Sequence, residues 1–433
     1  MEIMFSAESP NLTFRASYVI LALSINFCRI KVTTFGSEPL SENIIERIIT
    51  IILSILSIEN IIYFLKVFST LVFILILILS VFELIRSVVL KERNSNADRI
   101  NEGNPNSLSV SIIIPAIYVD YAEKNISHLV NKDYVKEIVI VNPFKEERKG
   151  KIILVKDDGK GRAAALNKGV DIVSGDITVI LDEDIYLPEE TLKKAIRLFE
   201  RDNIDILKFV LVPKKVNGLF QKLIKIERLY FEKIIHPNMN RIFGSCGAFR
   251  TNVLKDLRFS EDALTEDIDL TVRAYMKGYN IECFSDLEVY EDYPLSFKEW
   301  LKQRRRWAGG WFQVFKRYFW KIIRNKKLIS IFLYQILFAL PLLSIIGLFV
   351  GNLFSQTTNL ILSAILILPY FTITKKFGKM RYTPFFWLYI MLLTFWSALS
   401  SIFIPKSYKV TKKSFEENSQ LEKFTEAGLG RFK

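Results

Sequence analysis

Three consecutive carboxylates, Asp182-Glu183-Asp184, close the apolar run Ile177-Thr-Val-Ile-Leu181. Like charges a few ångströms apart raise one another's pKa, and a divalent cation removes that repulsion. Oxygen ligands of this kind suit magnesium or manganese held together with substrate phosphates. The same triplet could equally serve as a solvated turn before a helix at Leu187-Pro188-Glu189. A second acidic group, Leu264-Thr265-Glu266-Asp267-Ile268-Asp269, opens a helical pattern with Thr265 at the N-cap position. There the acids either complement the helix dipole or supply a general base for a hydroxyl. Further on, Gln303-Arg304-Arg305-Arg306-Trp307 brings guanidinium groups, which bind diphosphate bidentately, beside an indole that can pack on a sugar ring. With two histidines, His128 and His236, and three dispersed cysteines, the chain has neither a histidine-based site nor a zinc or disulfide framework. Its chemistry must run on carboxylates.

The elements around the first triplet follow one pattern. Ser109 to Pro115, Glu137 to Val141, Lys151 to Val155 and Ile177 to Leu181 are short β-branched runs, with a helix-compatible stretch from Arg162 to Val173 between the last two. Such runs alternating with helices indicate an α/β fold, a mostly parallel sheet covered on both faces. Ligands bind at the carboxyl ends of its strands, where the acidic triplet stands.

Half of the 433 residues are hydrophobic, and the mean hydropathy is +0.22, which directs attention to the membrane. Leu328 to Val350 and Tyr382 to Pro405 are long enough to span, and a third span falls near 61–85, around Lys66; Leu360 to Thr374 is shorter. Ala16 to Cys28 and Ile48 to Ile58 are shorter still. The net charge is +13, and ten Lys or Arg with no Asp or Glu lie between Leu301 and Lys327. A basic run abutting a spanning helix is a positive-inside signature and places the intervening domain in the cytoplasm; it argues against nucleic acid as the partner. Aromatic residues from Trp311 to Trp320 interleave with Lys316 and Arg317, as in an interfacial amphipathic helix. Lys375 to Arg381 and Lys406 to Lys413 both ask for the cytoplasmic side, which a single span between them cannot satisfy. The expected organisation is a membrane region at 1–90, a cytoplasmic domain at 91–309, an interfacial helix at 310–327, a second membrane region at 328–405 and a basic tail at 406–433.

Taken in order, Asp182-Glu183-Asp184, Thr265-Glu266-Asp267 and Gln303 to Trp307 resemble the Asp-x-Asp, Thr-Glu-Asp and Gln-x-x-Arg-Trp motifs of the inverting family-2 membrane glycosyltransferases. Processive members of that family make cellulose, chitin, hyaluronan and poly-N-acetylglucosamine. Gly161 to Asn167 precedes the first motif as the family's corresponding segment does, and Gly244 to Arg250 looks like its glycine-rich acceptor-side loop. The similarity runs from about Ser109 to Trp311. It implies a GT-A-like domain flanked by transmembrane helices on both sides, a multi-pass protein of the cell membrane. The implied reaction moves a sugar, with inversion, from a nucleotide-sugar donor to an acceptor hydroxyl, building a polysaccharide at the membrane with Mg2+ or Mn2+ as cofactor. Asp267 is then the base. Asp182 faces the donor nucleotide and Asp184 the metal, with Asp182 as its second ligand. Pro115, Ala116, Asp120, Asn142, Arg162, Gln303 and Arg306 complete the donor side, and Gly244, Gly247, Glu266 and Trp307 the acceptor side. The chain departs from the pattern at Ile117-Tyr118-Val119-Asp120 and at Asn142, where the family has aspartate. A UDP-sugar is the favoured donor. Partners are that donor, a saccharide or lipid acceptor and membrane lipids. Ceramide glucosyltransferases carry similar motifs, so single transfer to a membrane lipid is the alternative; a transporter or scaffold with an inactive domain is the third reading.

Overall fold

The computed structural model describes residues 81–95, 107–238, 243–294, 296–337 and 356–402, with Thr50, Val67, Ile74 and Ile78. The chain divides into two compact units, Met1–Leu77 with Gly347–Asn359, and Ile78–Ile346 with Leu360–Lys433. The sheet and the candidate site belong to the second.

Among its described residues that unit has eight strands: β1 (Val110–Pro115), β2 (Val135–Asn142), β3 (Glu147–Lys149), β4 (Ile152–Lys156), β5 (Ile177–Ile180), β6 (Ile206–Pro213), β7 (Gly247–Arg250) and β8 (Ile281–Glu291). They form one sheet in the order β3-β4-β2-β1-β5-β7-β6-β8. The pairs β1–β2, β1–β5, β2–β4 and β6–β8 are parallel, whereas β3–β4, β5–β7 and β6–β7 are antiparallel. The sheet is therefore mixed with a parallel majority, as the strand runs predict. Both faces are covered because successive residues point opposite ways. Ile112 and Ile114 of β1 join the cluster that includes Ala122 and Ile126, while Ile113 joins Leu166 and Val170. The helices responsible are α1 (Val119–Ile126) and α2 (Arg162–Ile172). Next come α3 (Glu189–Arg201), α4 (Gly218–Tyr230), α5 (Thr251–Leu257) and α6 (Glu266–Lys277).

Beyond the sheet the described residues form the helices α7 (Phe297–Arg324), α8 (Lys326–Leu337), α9 (Gln356–Phe377) and α10 (Thr383–Ile402). Ser296 caps α7 by accepting from the Glu299 amide at 3.3 Å, and α7 departs from helical geometry only at Tyr318. It passes unbroken through the domain boundary expected at 309. Nor does its aromatic stretch lie wholly outward. Trp311 and Phe315 pack on Phe332 of α8, at 5.0 and 5.4 Å between ring centroids, while Phe312, Phe319 and Trp320 are exposed. Among the described residues one helix, Met380–Ser400, is long and apolar enough to cross a membrane. The expected span at Leu328 to Val350 is described only as far as Leu337, and most of the one near 61–85 lies outside the described residues, as do Ala16 to Cys28 and the basic tail.

Candidate active site

β5 delivers the acidic triplet, and each of its three carboxylates has a different environment. Asp182 Oδ1 accepts from Arg162 Nε at 2.9 Å and from Arg162 Nη2 at 2.6 Å. Arg162 is the first residue of α2, after Gly161, whose φ of 104° suits a residue without Cβ. From there the guanidinium also reaches the Glu266 carboxylate and, at 3.3 Å, the Ser245 carbonyl. Burial works against its charge, yet Asp182, Glu266 and Asp267 outweigh this and raise its pKa. Glu183 has backbone partners: its Oε2 accepts from the amides of Ile117 and Tyr118, both at 2.7 Å. It thereby fixes the loop that carries Pro115 and Ala116. Asp184 is 1% exposed and accepts from the Asp292 amide at 3.1 Å.

Asp267 stands in the first turn of α6 and accepts from the adjacent Ile268 amide at 2.8 Å. Its pKa is raised to about 6, first by burial and then by the Glu266 carboxylate; Arg162 and Arg306 pull it partly back. A carboxyl poised there is a competent base near neutral pH. Two positions on, Asp269 is different. It accepts from Arg273 Nε at 2.7 Å and from Tyr318 hydroxyl at 3.0 Å, and these bonds, with one from Ser260, overcome burial and lower its pKa. Asp269 ties α6 to α7.

The third motif arrives on α7. Arg304, 7% exposed, gives both terminal nitrogens to Glu227 of α4, at 2.8 and 2.7 Å. Its guanidinium also lies over the Trp307 ring, 4.6 Å from the centroid, and Arg228 lies over the same ring at 5.5 Å. The close approach of α7 to α6 depends on Gly310. A Cβ there would meet Thr265 Oγ1 at 2.2 Å and Cγ2 at 2.4 Å. Thr265 thus occupies the N-cap position of α6 without a capping bond, its side chain packed against α7 instead.

A cavity of about 820 Å3 joins these groups. Eleven of the fourteen residues expected from sequence line it: Pro115, Ala116, Arg162, Asp182, Asp184, Gly244, Glu266, Asp267, Gln303, Arg306 and Trp307. The other three do not. Asp120 is exposed on α1. Asn142, expected to read the nucleotide, is 0% exposed and spends its amide on a turn. Its Nδ2 donates to the carbonyls of Lys145 and Val155, at 3.0 and 3.3 Å, and its Oδ1 accepts from the amides of Phe144 and Lys145, both at 3.0 Å. Gly247, expected to give room to an acceptor, gives room to the protein. A Cβ there would meet the Leu207 carbonyl oxygen at 2.6 Å and the Phe243 ring at 2.7 Å. At Gly244 an added Cβ would meet nothing within 4 Å. Asp157, Lys208, Glu227 and Glu232 are among the charged cavity residues that the sequence reading does not reach. Asp157, one residue past β4, shows the strand-end position that picked out Asp182 and could have been found by it. Lys208, Glu232 and Glu227 carry no such signal; Lys208 and Glu232 form a buried ion pair between β6 and the segment after α4.

As a divalent-metal site the residues fit in one way. Asp184 and Asp182 put two hard oxygen donors on the cavity wall, while no group of three potential ligands occurs among the described residues. Such a set suits a cation that completes its shell with substrate phosphates and water.

The family model described as "Glycosyl transferase family group 2" matches residues 177–404, more than half of the chain. A "Probable glycosyltransferase YdaM" of Bacillus subtilis is 26% identical over 356 residues, covering 70% of this chain and 84% of that protein. A poly-β-1,6-N-acetyl-D-glucosamine synthase of Staphylococcus epidermidis is 26% identical over 220 residues, covering 48% of this chain and 53% of that one. The chain therefore spans only about half of that synthase. In fold, the chain resembles a Pyrobaculum calidifontis mannosyltransferase solved with GDP-Man and Mn2+, with a TM-score of 0.52 at 17% identity, covering 78% of this chain and 98% of that one.

Proposed function

The chain belongs to glycosyl transferase family group 2, and we propose that it transfers a sugar from a nucleotide-sugar donor to an acceptor hydroxyl by a single displacement. The observation that carries this is the position of Asp267 on the wall that also presents Asp182, Asp184 and Arg306, with burial and the Glu266 carboxylate raising its pKa to about 6. Asp267 takes the acceptor proton as the hydroxyl oxygen attacks the anomeric carbon. The bond from that carbon to the diphosphate breaks, and the nucleoside diphosphate leaves with the bonding electrons. One attack on the face opposite the leaving group inverts the anomeric configuration. Arg306 and Gln303 bind the diphosphate, and Pro115, Ala116 and Asp182 bind the nucleoside, with Glu183 holding their loop. Asp184 and Asp182 would hold Mg2+ or Mn2+, which when bound stabilises charge on the phosphates. A UDP-sugar remains the favoured donor, without any help from Asn142.

The setting we propose is the cell membrane, with the sheet domain on the cytoplasmic side. The apolar helix Met380–Ser400 and the ten basic residues between Leu301 and Lys327 support it. Anomeric stereochemistry tests the mechanism directly. Proton NMR of the first product should show the configuration opposite to that of the donor, and retention would overturn the single displacement.

A further inference from the structure

The lining of the cavity changes character along the chain. Every charged side chain on it precedes Trp307, from Asp157 through Arg306. From Trp307 onward the lining comes from α7, α8 and α10 and includes Phe315, Ile322, Phe332, Leu393, Thr394 and Ser397, with no charge. Of its two hydroxyls, Thr394 already serves the carbonyls of Ile390 and Met391, at 3.0 and 2.9 Å. Of its rings, Trp311 and Phe315 both pack on Phe332. A saccharide threaded there would lose water from several hydroxyls per residue and find few partners. A hydrocarbon chain would lose nothing and would bury apolar surface. Helix Met380–Ser400, which supplies Leu393, Thr394 and Ser397 to the lining, is itself apolar enough to lie in a bilayer.

Resting on the glycosyl-transfer reading above, we infer that the acceptor is a hydroxyl-bearing membrane lipid. Its chain occupies the apolar arm between α7, α8 and α10 while its head group reaches Asp267. The lipid hydroxyl oxygen forms the new bond to the anomeric carbon and its proton passes to Asp267. The sugar leaves the diphosphate, and the product is a glycolipid with one added sugar.

The full chain in phosphatidylcholine nanodiscs allows two measurements. In the first, a diazirine-tagged dioleoylglycerol is photolysed with the protein. Adducts are expected on the α7, α8 or α10 peptides, competed by unlabelled dioleoylglycerol and reduced at least fivefold in Ser397→Trp, which fills the arm. Uncompeted labelling, or labelling unchanged in a folded Ser397→Trp, overturns the inference. In the second, UDP-glucose, UDP-N-acetylglucosamine and GDP-mannose are each offered with alkyl glucosides of six to sixteen carbons. The acceptor KM should fall at least tenfold with chain length, and Leu393→Ala, which widens the arm, should move the optimum to longer chains. A ladder of products on a soluble saccharide primer, with no dependence on alkyl length, overturns the lipid acceptor and leaves glycosyl transfer standing. Competed labelling without consumption of any donor does the reverse.

Discussion

Glu227 of α4 and Arg304 of α7 meet through two parallel hydrogen bonds at 2.8 and 2.7 Å, and Tyr389 of α10 donates to the same carboxylate at 2.6 Å. One buried carboxylate therefore joins the sheet domain, the motif helix and the apolar helix. Arg304 in turn lies over the Trp307 ring, so the orientation of the indole depends on Glu227. Removing one partner of a buried pair strands the other charge and costs about 3–5 kcal/mol, whereas replacing both with apolar groups is often neutral. Glu227→Ala should lower the unfolding midpoint by that measure in detergent. The double variant Glu227→Leu with Arg304→Met should recover most of it. A Glu227→Ala protein as stable as the parent would show that the pair holds nothing together.

Asp267 gives a pH dependence of known sign. Its pKa is raised to about 6, and only the deprotonated form can take the acceptor proton. Transfer at saturating donor should be level above pH 7 and fall tenfold per unit below about pH 6. For stability the sign is opposite: the folded state binds the proton more tightly than the unfolded chain, so this group stabilises at low pH and that contribution is lost as pH rises through 6. At pH 7 Asp267→Asn should therefore stabilise the fold, on the order of 1–3 kcal/mol, while slowing transfer by about 10²- to 10⁴-fold. Calorimetry should find donor affinity unchanged. Loss of donor affinity in step with activity would make Asp267 a donor ligand.

The two glycines of the Gly244 to Arg250 segment should separate. A Cβ at Gly247 meets backbone at 2.6 Å, so Gly247→Ala should destabilise by about 1–3 kcal/mol through overpacking. Gly244→Ala has open space on the cavity wall and should fold normally. A substrate passing that wall would make Gly244→Leu lose transfer with an unchanged melting curve. Normal transfer by Gly244→Leu would remove the segment from the site.

Much of this site is legible in sequence because its groups are short in range. Strand runs ending in Asp182-Glu183-Asp184, an acidic helix start at Thr265-Glu266-Asp267 and the cluster at Gln303 to Trp307 each show residue type and local element together. What they do not show is the partner. Glu227 and Arg304 are 77 positions apart, and nothing near Glu227 announces that it will be buried under Tyr389. Gly247 shows a related limit: a glycine tells that a side chain is missing, and only the packed structure tells what fills the space, here the Leu207 carbonyl and the Phe243 ring. Asn142 is placed on the donor side by the family resemblance alone, and its buried amide closes the next turn.

That turn yields its own test. Asn142 Nδ2 donates to two carbonyls, Lys145 and Val155, which a carboxylate cannot do. Asn142→Asp restores the residue that the family resemblance leads one to expect, yet it should destabilise the β2–β3 connection by about 1–3 kcal/mol and leave two carbonyls facing a negative charge. Uridine-nucleotide affinity should not improve. Tighter binding of UDP by a folded Asn142→Asp would return this position to the donor pocket.

The metal assignment rests on Asp184 and Asp182 and makes a prediction with two readouts. Asp184 is buried on the cavity wall and Asp182 is already paired with Arg162, so the two do not contribute alike. With chelator present, donor consumption should fall by at least 10²-fold and return on adding Mg2+ or Mn2+. Nucleotide-sugar affinity, measured by calorimetry, should weaken in parallel, because the cation bridges protein and phosphate. Asp184→Asn should reproduce the chelator effect and resist rescue by metal. Asp182→Asn should leave Arg162 paired only with Glu266 and weaken donor binding even at saturating metal. Full donor affinity and turnover in chelator would remove the metal from this site, and equal rescue of both variants by excess Mn2+ would overturn the division of labour between them.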